Sequence, residues 1–416
     1  MVGRLGEIPL GAVGLANALF FAFAMFGGGL VMGVDPIISQ ALGADEDELA
    51  ERGLWQGLWL AGLVALPLCA LAASSTLVLA PLGVEPETAR QASVYLWSRI
   101  PALPMLLLYT GMRTFLQAHG LTRPMVVGVL LANLLNVPFN ILLVFGDASL
   151  TAIGLPAIGL PALGILGAGI TSTLVTLVQL AVVAFSLRQT GRASRWRPLD
   201  RELLRRSLGL GLPIGLQRLA EMGIFSVTGL LMARIGTRAV ATHQVVMTLV
   251  TTTFMVPLGV SAAASVRVGR AVGAGDDEAA RRSGFVALAM AMVFMGVCAA
   301  IMLAVPRSLA RLLTDEVHVL DAAEGLLAIG ALFQVSDGLQ VVAAGALRGL
   351  GDTRVVLYLN VAGHYGLGVP IGVALAFFYG HGGAGLWWGL FIGLSAVAVA
   401  LVARFWWRSG RTLARA

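Results

Sequence analysis

The chain predicts an all-α integral membrane protein of two similar helical bundles, and two observations carry that expectation. The first is composition: 58% of its 416 residues are hydrophobic, 12% are charged and mean hydropathy is +0.87. Soluble domains have about a quarter charged residues, so most of this surface must meet lipid. The second is an internal repeat. Residues 1–52 lie on residues 231–282 at a constant shift of 230, which sets Arg4 on Arg234, Gly6 on Gly236, Met25 on Met255 and Gly29 on Gly259. The loops that follow, ALGADEDELAER from Ala41 and AVGAGDDEAARR from Ala271, are close copies. At a shift of 231, HGLTR (His119–Arg123) lies on LGDTR (Leu350–Arg354).

A helix needs about 20 apolar residues to cross a bilayer, and eleven stretches meet that length. The first, near 10–38, ends at Asp35-Pro36. The stretch near 54–80 carries Cys69, and 92–117 follows it. The fourth, 125–146, holds three asparagines and Pro138; a tandem GLPAI–GLPAL loop, read as a duplication without chemistry, leads into 163–187. The second half opens with 203–235, which carries Pro213 and Glu221, and continues with 240–268 (His243, Pro257) and 284–305 (Cys298). It closes with 320–347 (Asp337), 355–379 (His364, Pro370) and 385–407. Matched segments are six helices apart and so point the same way. The repeats are therefore expected to be parallel, about an axis along the membrane normal, with a site in a central cavity between them. The counterpart of 203–235 would precede Met1, so the first half is expected to lack its opening helix. The division expected is a bundle over 1–190, a linker over 191–202 and a bundle over 203–416.

All 28 basic residues are arginine, and their distribution fits topology rather than nucleic acid. Alternate loops and the tail RFWWRSGRTLARA hold nineteen of them; the opposite loops hold seven. Positive residues stay inside, which puts the connector and the C-terminus on the cytoplasmic side. Cys69 and Cys298 sit singly in apolar runs and form neither a disulfide framework nor a metal motif. No cleavable signal pattern precedes the first apolar segment. Enzyme signatures are absent: no HExxH, GxSxG or P-loop occurs. No cofactor and no obligate protein partner is expected. His243 and His364 read as satisfied polar contacts in their helices.

The chemistry lies in acids placed within apolar runs. A carboxylate at the bilayer centre costs about 2.5–3.5 kcal/mol even on lenient scales, so its default reading is functional. Glu221, in GLQRLAEMGIF, has Gln217 one turn before it and Arg218 on nearly the same face. The competing reading is a structural Glu221–Arg218 pair. Asp337, in ALFQVSDGLQVVAAG, has Gln334 and Gln340 at helical spacing, and the competing reading is an acid held by those two amides. Asp35 precedes Pro36 at a helix end and reads as a solvated or capping aspartate. Asn133, Asn136 and Asn140 share one face and either line a cavity or hydrogen-bond neighbouring helices. Gln217, Phe333 and Gln340 complete the candidates for the cavity wall.

Together these residues resemble a family. The stretches MVGRLG, QALGADEDE, GLPIGLQRLAEMGIF, AVATHQVV, VPLGVSAAASVRVGRAVGAGD and SDGLQVVAAGALRGLGDTR are similar to the multidrug and toxic compound extrusion (MATE) transporters, in their bacterial NorM-type branch. The resemblance spans essentially the whole chain. It implies two bundles around a central cavity, twelve helices in the family, and export of organic cations in exchange for inward Na+ or H+. It also implies a cation site at Glu221 and Asp337, with Na+ as the one metal ion in view. Two departures matter. Where the family often has a tyrosine one turn before the second acid, this chain has Phe333, which removes a hydroxyl ligand for Na+. The family's aspartate shortly before MVGRLG has no counterpart here.

The expected function is therefore a cation-coupled antiporter for cationic amphipathic compounds, working by alternating access in the lipid bilayer. The alternatives are a lipid-linked precursor flippase of the same wider superfamily, or an inactive truncated chain.

Overall fold

The structure, a computed structural model, describes residues 2–147, 159–192 and 196–415; the first copy of the GLPAI–GLPAL tandem, residues 154–158, falls outside them. Among the described residues every regular element is helical. In the first half a 3-10 turn leads into α1 (Glu7–Val31), which continues through the 3-10 turn Met32–Val34 into α2 (Asp35–Gly43). Then follow α3 (Asp47–Val78), α4 (Pro86–Arg99), α5 (Ala102–Ala118), α6 (Arg123–Phe145) and α7 (Gly164–Gln189). The second half comprises α8 (Arg201–Ile235), α9 (Thr237–Gly273), α10 (Asp277–Ala304), the short α11 (Pro306–Arg311) and α12 (Val317–Gly349). It ends with α13 (Thr353–Val361), a π-helical turn Ala362–Gly368, α14 (Val369–Val373), a second π turn Ala374–Phe378, and α15 (Gly382–Ser409).

The repeat is written into the backbone as well as the sequence. Helices α1 and α9 both start after a glycine in the left-handed region, Gly6 at φ 119° and Gly236 at φ 142°, a conformation closed to most side chains. The copied loops share a second such position, Asp45 at φ 58° and Gly275 at φ 72°. Asp276 then caps α10, its side chain accepting from the Ala279 amide.

By packing, the chain forms two compact units. One comprises Met1–Val34 and Glu48–Gly215, the other Asp35–Asp47 and Leu216–Ala416. Helix α8 thus contributes its N-terminal part to the first unit and its remainder, with Glu221, to the second. In the first unit, α1 and α8 meet through glycines. A Cβ on Gly33 would stand 2.1 Å from the Ser207 carbonyl oxygen, and one on Gly211 2.0 Å from that of Leu30. The approach to α8 is fixed by Asp200, which accepts from the amides of Glu202 and Leu203 and pairs with Arg52. Ala16, Phe20, Leu96, Leu103 and Leu107 form part of this unit's core.

In the second unit, α2 crosses the end of α9. A Cβ on Gly43 would lie 1.9 Å from the Arg270 carbonyl oxygen, and a Cβ on Gly273 1.9 Å from that of Gln40. The Gln40 side chain donates to the Gly349 carbonyl at 2.9 Å, tying the crossing to α12. Two apolar clusters fill the unit, one around Leu327, Phe333 and Trp387 and one around Val268, Leu347 and Phe405.

Nine described helical segments are long and apolar enough to cross a membrane. Two of the eleven stretches expected from sequence do not meet that standard. The stretch near 92–117 is broken: α4 ends at Arg99 and α5 starts at Ala102. Pro101 and Pro104 lack the N–H groups a continuous helix needs, and the Leu103 amide turns back to Ile100 instead. Helix α8 is long enough, but GLQRLAE lowers its apolarity. Large exposed side chains such as Leu66, Leu77, Leu134 and Val399 supply a lipid-facing surface.

Candidate functional site

The polar interruption of α8 and the amides of α12 and α13 meet inside the second unit. Glu221 Oε1 accepts three hydrogen bonds: from Gln217 Nε2 at 3.0 Å, Gln340 Nε2 at 2.8 Å and Asn360 Nδ2 at 2.9 Å. The first donor is one turn back on the same helix, the second comes from α12 and the third from α13. These donors are 6%, 3% and 1% exposed, so water does not compete for them. A charge-assisted bond contributes about twice a neutral one, so the three suit an ionised carboxylate. On this oxygen Glu221 is thus bonded by side-chain amides from α8, α12 and α13.

Asp337 is half-buried, and its carboxylate lies within electrostatic range of Glu221. It is not held by its neighbouring amides: Gln340 serves Glu221, while Gln334 Oε1 accepts from Thr253 Oγ1 at 2.8 Å. Two buried carbonyl oxygens of the cluster, Gln340 Oε1 and Asn360 Oδ1, have no donor among the described residues. The site therefore joins two carboxylates to amide oxygens with unused lone pairs, a set of hard oxygen donors suited to a small cation or a proton. No group of three or more His, Cys, Asp or Glu side chains placed to hold a metal ion occurs among the described residues.

The other candidates lie elsewhere. Phe333, expected at a cavity wall, is 1% exposed and belongs to the packed core. Its ring meets Phe225 and Trp387 edge-on, with centroids 6.3 Å and 5.5 Å away, and its large apolar area explains that burial. Asn133, Asn136 and Asn140 stay on α6, in the first unit. Asn133 donates to the Val129 carbonyl and Asn140 to both the carbonyl and side-chain oxygen of Asn136, so these bonds run along the helix rather than to neighbours. Asp35 is half-buried where the 3-10 turn passes into α2, inside the continuous helical run Glu7–Gly43 rather than at a solvated helix end. His364 is buried and satisfied as expected, its Nδ1 3.0 Å from the Asn360 carbonyl oxygen.

Sequence reasoning missed Asn360. Its signal is a lone amide in the apolar run VVLYLNVAG with His364 one helical turn after it, a pairing that local spacing shows but that does not point to Glu221.

The chain matches the MatE family pattern over residues 1–142 and 213–374. It is similar to a probable multidrug resistance protein NorM of Mesorhizobium japonicum, 35% identical over 99% of this chain and 88% of that one. A Deinococcus radiodurans protein of the same description is 37% identical over 98% and 90%. Among solved structures, the eukaryotic MATE transporter AtDTX14 matches with a TM-score of 0.84 and 25% identity over 97% of this chain and 89% of that one. An outward-facing multidrug resistance MATE transporter shares the fold at a TM-score of 0.86 and 18% identity, over 97% and 89%.

Proposed function

The chain belongs to the MatE family, and from that premise we propose a multidrug efflux transporter that exports cationic amphipathic compounds in exchange for inward H+ or Na+. The setting is the bacterial inner membrane, crossed several times, with the C-terminus in the cytoplasm. The observation that carries the coupling is the Glu221 carboxylate, held by three buried amides within range of Asp337. Two nearby carboxylates in an apolar surround repel each other unless a cation or proton joins them. Arrival of that cation cancels negative charge and lowers affinity for an organic cation, a coupling that is reciprocal by linkage. Alternating access then needs only that ion and drug favour different states.

Phe333 offers no oxygen, which favours H+ over Na+. Gln217 and Gln340 hold the acid that receives the ion. Asn133, Asn136 and Asn140, half-buried or exposed on α6, are assigned to the first half's share of the substrate path.

The test is dye efflux from proteoliposomes under an imposed Na+ gradient and then a pH gradient. Glu221→Gln and Asp337→Asn should each abolish gradient-driven efflux of a cationic dye such as ethidium, and Asp35→Asn should have a much smaller effect. Transport at the unaltered rate in both neutralised variants would sink the assignment. Absence of dye transport by the folded, unaltered protein would move the reading to lipid-precursor flipping.

A further inference from the structure

The segment after Asn360 leaves α-helical geometry where it passes Glu221. In the π-helical turn Ala362–Gly368 the backbone bonds reach one residue further, as in Val369 N–H to the His364 carbonyl. Such turns cost backbone regularity and recur at functional sites. Here the turn is wedged between two helices. On one side its glycines sit against α15: a Cβ on Gly363 would stand 2.2 Å from Val397 Cγ2 and 3.0 Å from the Gly393 carbonyl oxygen. On the other side the turn and the end of α13 just before it reach α8 at two adjacent residues. Tyr365 donates its hydroxyl to the Ala220 carbonyl at 2.8 Å, and Asn360 donates to Glu221 at 2.9 Å. His364 stands behind Asn360, its ring donating to that residue's carbonyl at 3.0 Å. Gly223 makes room, since a Cβ there would lie 2.5 Å from the Tyr365 hydroxyl.

We propose that this π turn is the positioning element of the Glu221 site. Asn360 and Tyr365, with His364 bracing Asn360, fix the Glu221 carboxylate for the coupling ion, so the turn sets ion affinity without touching the exported compound. The inference rests on the coupling role proposed for Glu221. Two anchors one residue apart on α8, Asn360 from the last turn of α13 and Tyr365 from the π turn that follows it, leave the carboxylate little freedom to rotate away. An α-helical continuation would change the phase of Tyr365 relative to Asn360 by roughly one-third of a turn, because each residue advances an α-helix about 100°. Only one anchor would then reach α8.

The experiment is gradient-driven dye efflux from proteoliposomes, measured against driving-ion concentration and separately against dye concentration. A single neutral hydrogen bond corresponds to about a two- to tenfold change in an equilibrium. Tyr365→Phe and Asn360→Ala should each shift the half-saturating concentration of the driving ion by at least that factor: upward for Na+, and for Asn360→Ala downward for H+, because a donor to the carboxylate favours its ionised form. The half-saturating dye concentration should stay within twofold, and Asn360→Gln, which keeps a donor, should reverse most of the shift. Gly223→Ala should reproduce Tyr365→Phe by displacing the hydroxyl. The double variant should be no worse than either, because a phenyl ring leaves the added methyl unopposed.

Tyr365 is 36% exposed, so its variant decides the matter even where Asn360→Ala does not fold. Ion and dye constants that move together, or a Tyr365→Phe protein with unaltered ion dependence, overturn the proposal. Failure of the unaltered protein to move dye under either gradient refutes the coupling reading instead, a distinct outcome.

Discussion

Replacing Glu221 by glutamine and by alanine separates what the carboxylate does for folding from what it does for coupling. In Glu221→Ala three amide donors, all at most 6% exposed, lose their acceptor. Each orphaned buried donor costs about 1–3 kcal/mol. Removing a carboxylate from the apolar interior returns about 2.5–3.5 kcal/mol, so the net loss is on the order of 3 kcal/mol. Glu221→Gln keeps an oxygen at the same place. Its bonds fall from charge-assisted to neutral strength, by about 1 kcal/mol each, and the same desolvation term offsets them almost fully. The alanine protein should therefore melt well below the glutamine protein, which should melt close to wild type. Thermal unfolding of purified protein, followed by size-exclusion in detergent, reads this order, and efflux should be lost in both. An alanine variant as stable as the glutamine variant would show that the three amides do not depend on this acceptor.

Gly33→Ala sets a methyl 2.1 Å from the Ser207 carbonyl oxygen and 2.6 Å from the Gly211 nitrogen, both α8 backbone atoms with no flexible side chain to yield. It should cost about 3 kcal/mol, the upper end for overpacking, while Gly14→Ala, with nothing within 4 Å, should cost nothing measurable in the same thermal assay. Phe333→Tyr adds a hydroxyl to a ring that is 1% exposed; it should destabilise by about 1–3 kcal/mol and confer no Na+-driven efflux. At Asp200, outside the membrane spans, bonds from the Leu203 amide and Arg52 hold the carboxyl below its ordinary value of 3.8. A depressed folded value means the stabilisation is complete above the unfolded pKa and disappears as pH falls through the folded one. Acid unfolding below about pH 4 should therefore lose a component in Asp200→Asn. Asp200→Ala, which also loses the cap, should cost about 1 kcal/mol at neutral pH.

The legible part of the site was the part whose chemistry is costly. Glu221 and Asp337 announce themselves because a carboxylate in an apolar run requires a reason, and Gln217 and Gln340 follow from helical spacing to them. Asn360 belongs to a helix more than a hundred residues beyond Glu221, and no local pattern links the two. Phe333 is a candidate by its place one turn before Asp337, but that spacing does not say whether the ring faces a cavity or the core, and its neighbours Phe225 and Trp387 set it in the core. The repeat was readable to the residue, since Gly6 and Gly236 must be glycine for the same backbone reason. The break at Pro101 carried its signal in RIPALP, but apolarity alone cannot separate one bent span from two helices. Nor does sequence foretell that α2 leaves the unit of α1, because that depends on which backbone its glycine can approach.

The crossing of α2 and α9 has a consequence for how this chain arose. Gly43 packs on the Arg270 backbone and Gly273 on that of Gln40, so closely that a Cβ on either would meet the carbonyl oxygen at the same 1.9 Å. The repeat shift of 230 carries Gly43 onto Gly273 and Gln40 onto Arg270. Residue i meets j while the copy of i meets the copy of j, which is the signature of an isologous contact about a two-fold axis. Before the gene doubled, a half-length protein with one such glycine would have made this contact twice, between two identical molecules, and one mutation there would have been felt on both sides at once. In the fused chain the two sides are separate positions, and they differ: position 40 is glutamine and position 270 is arginine.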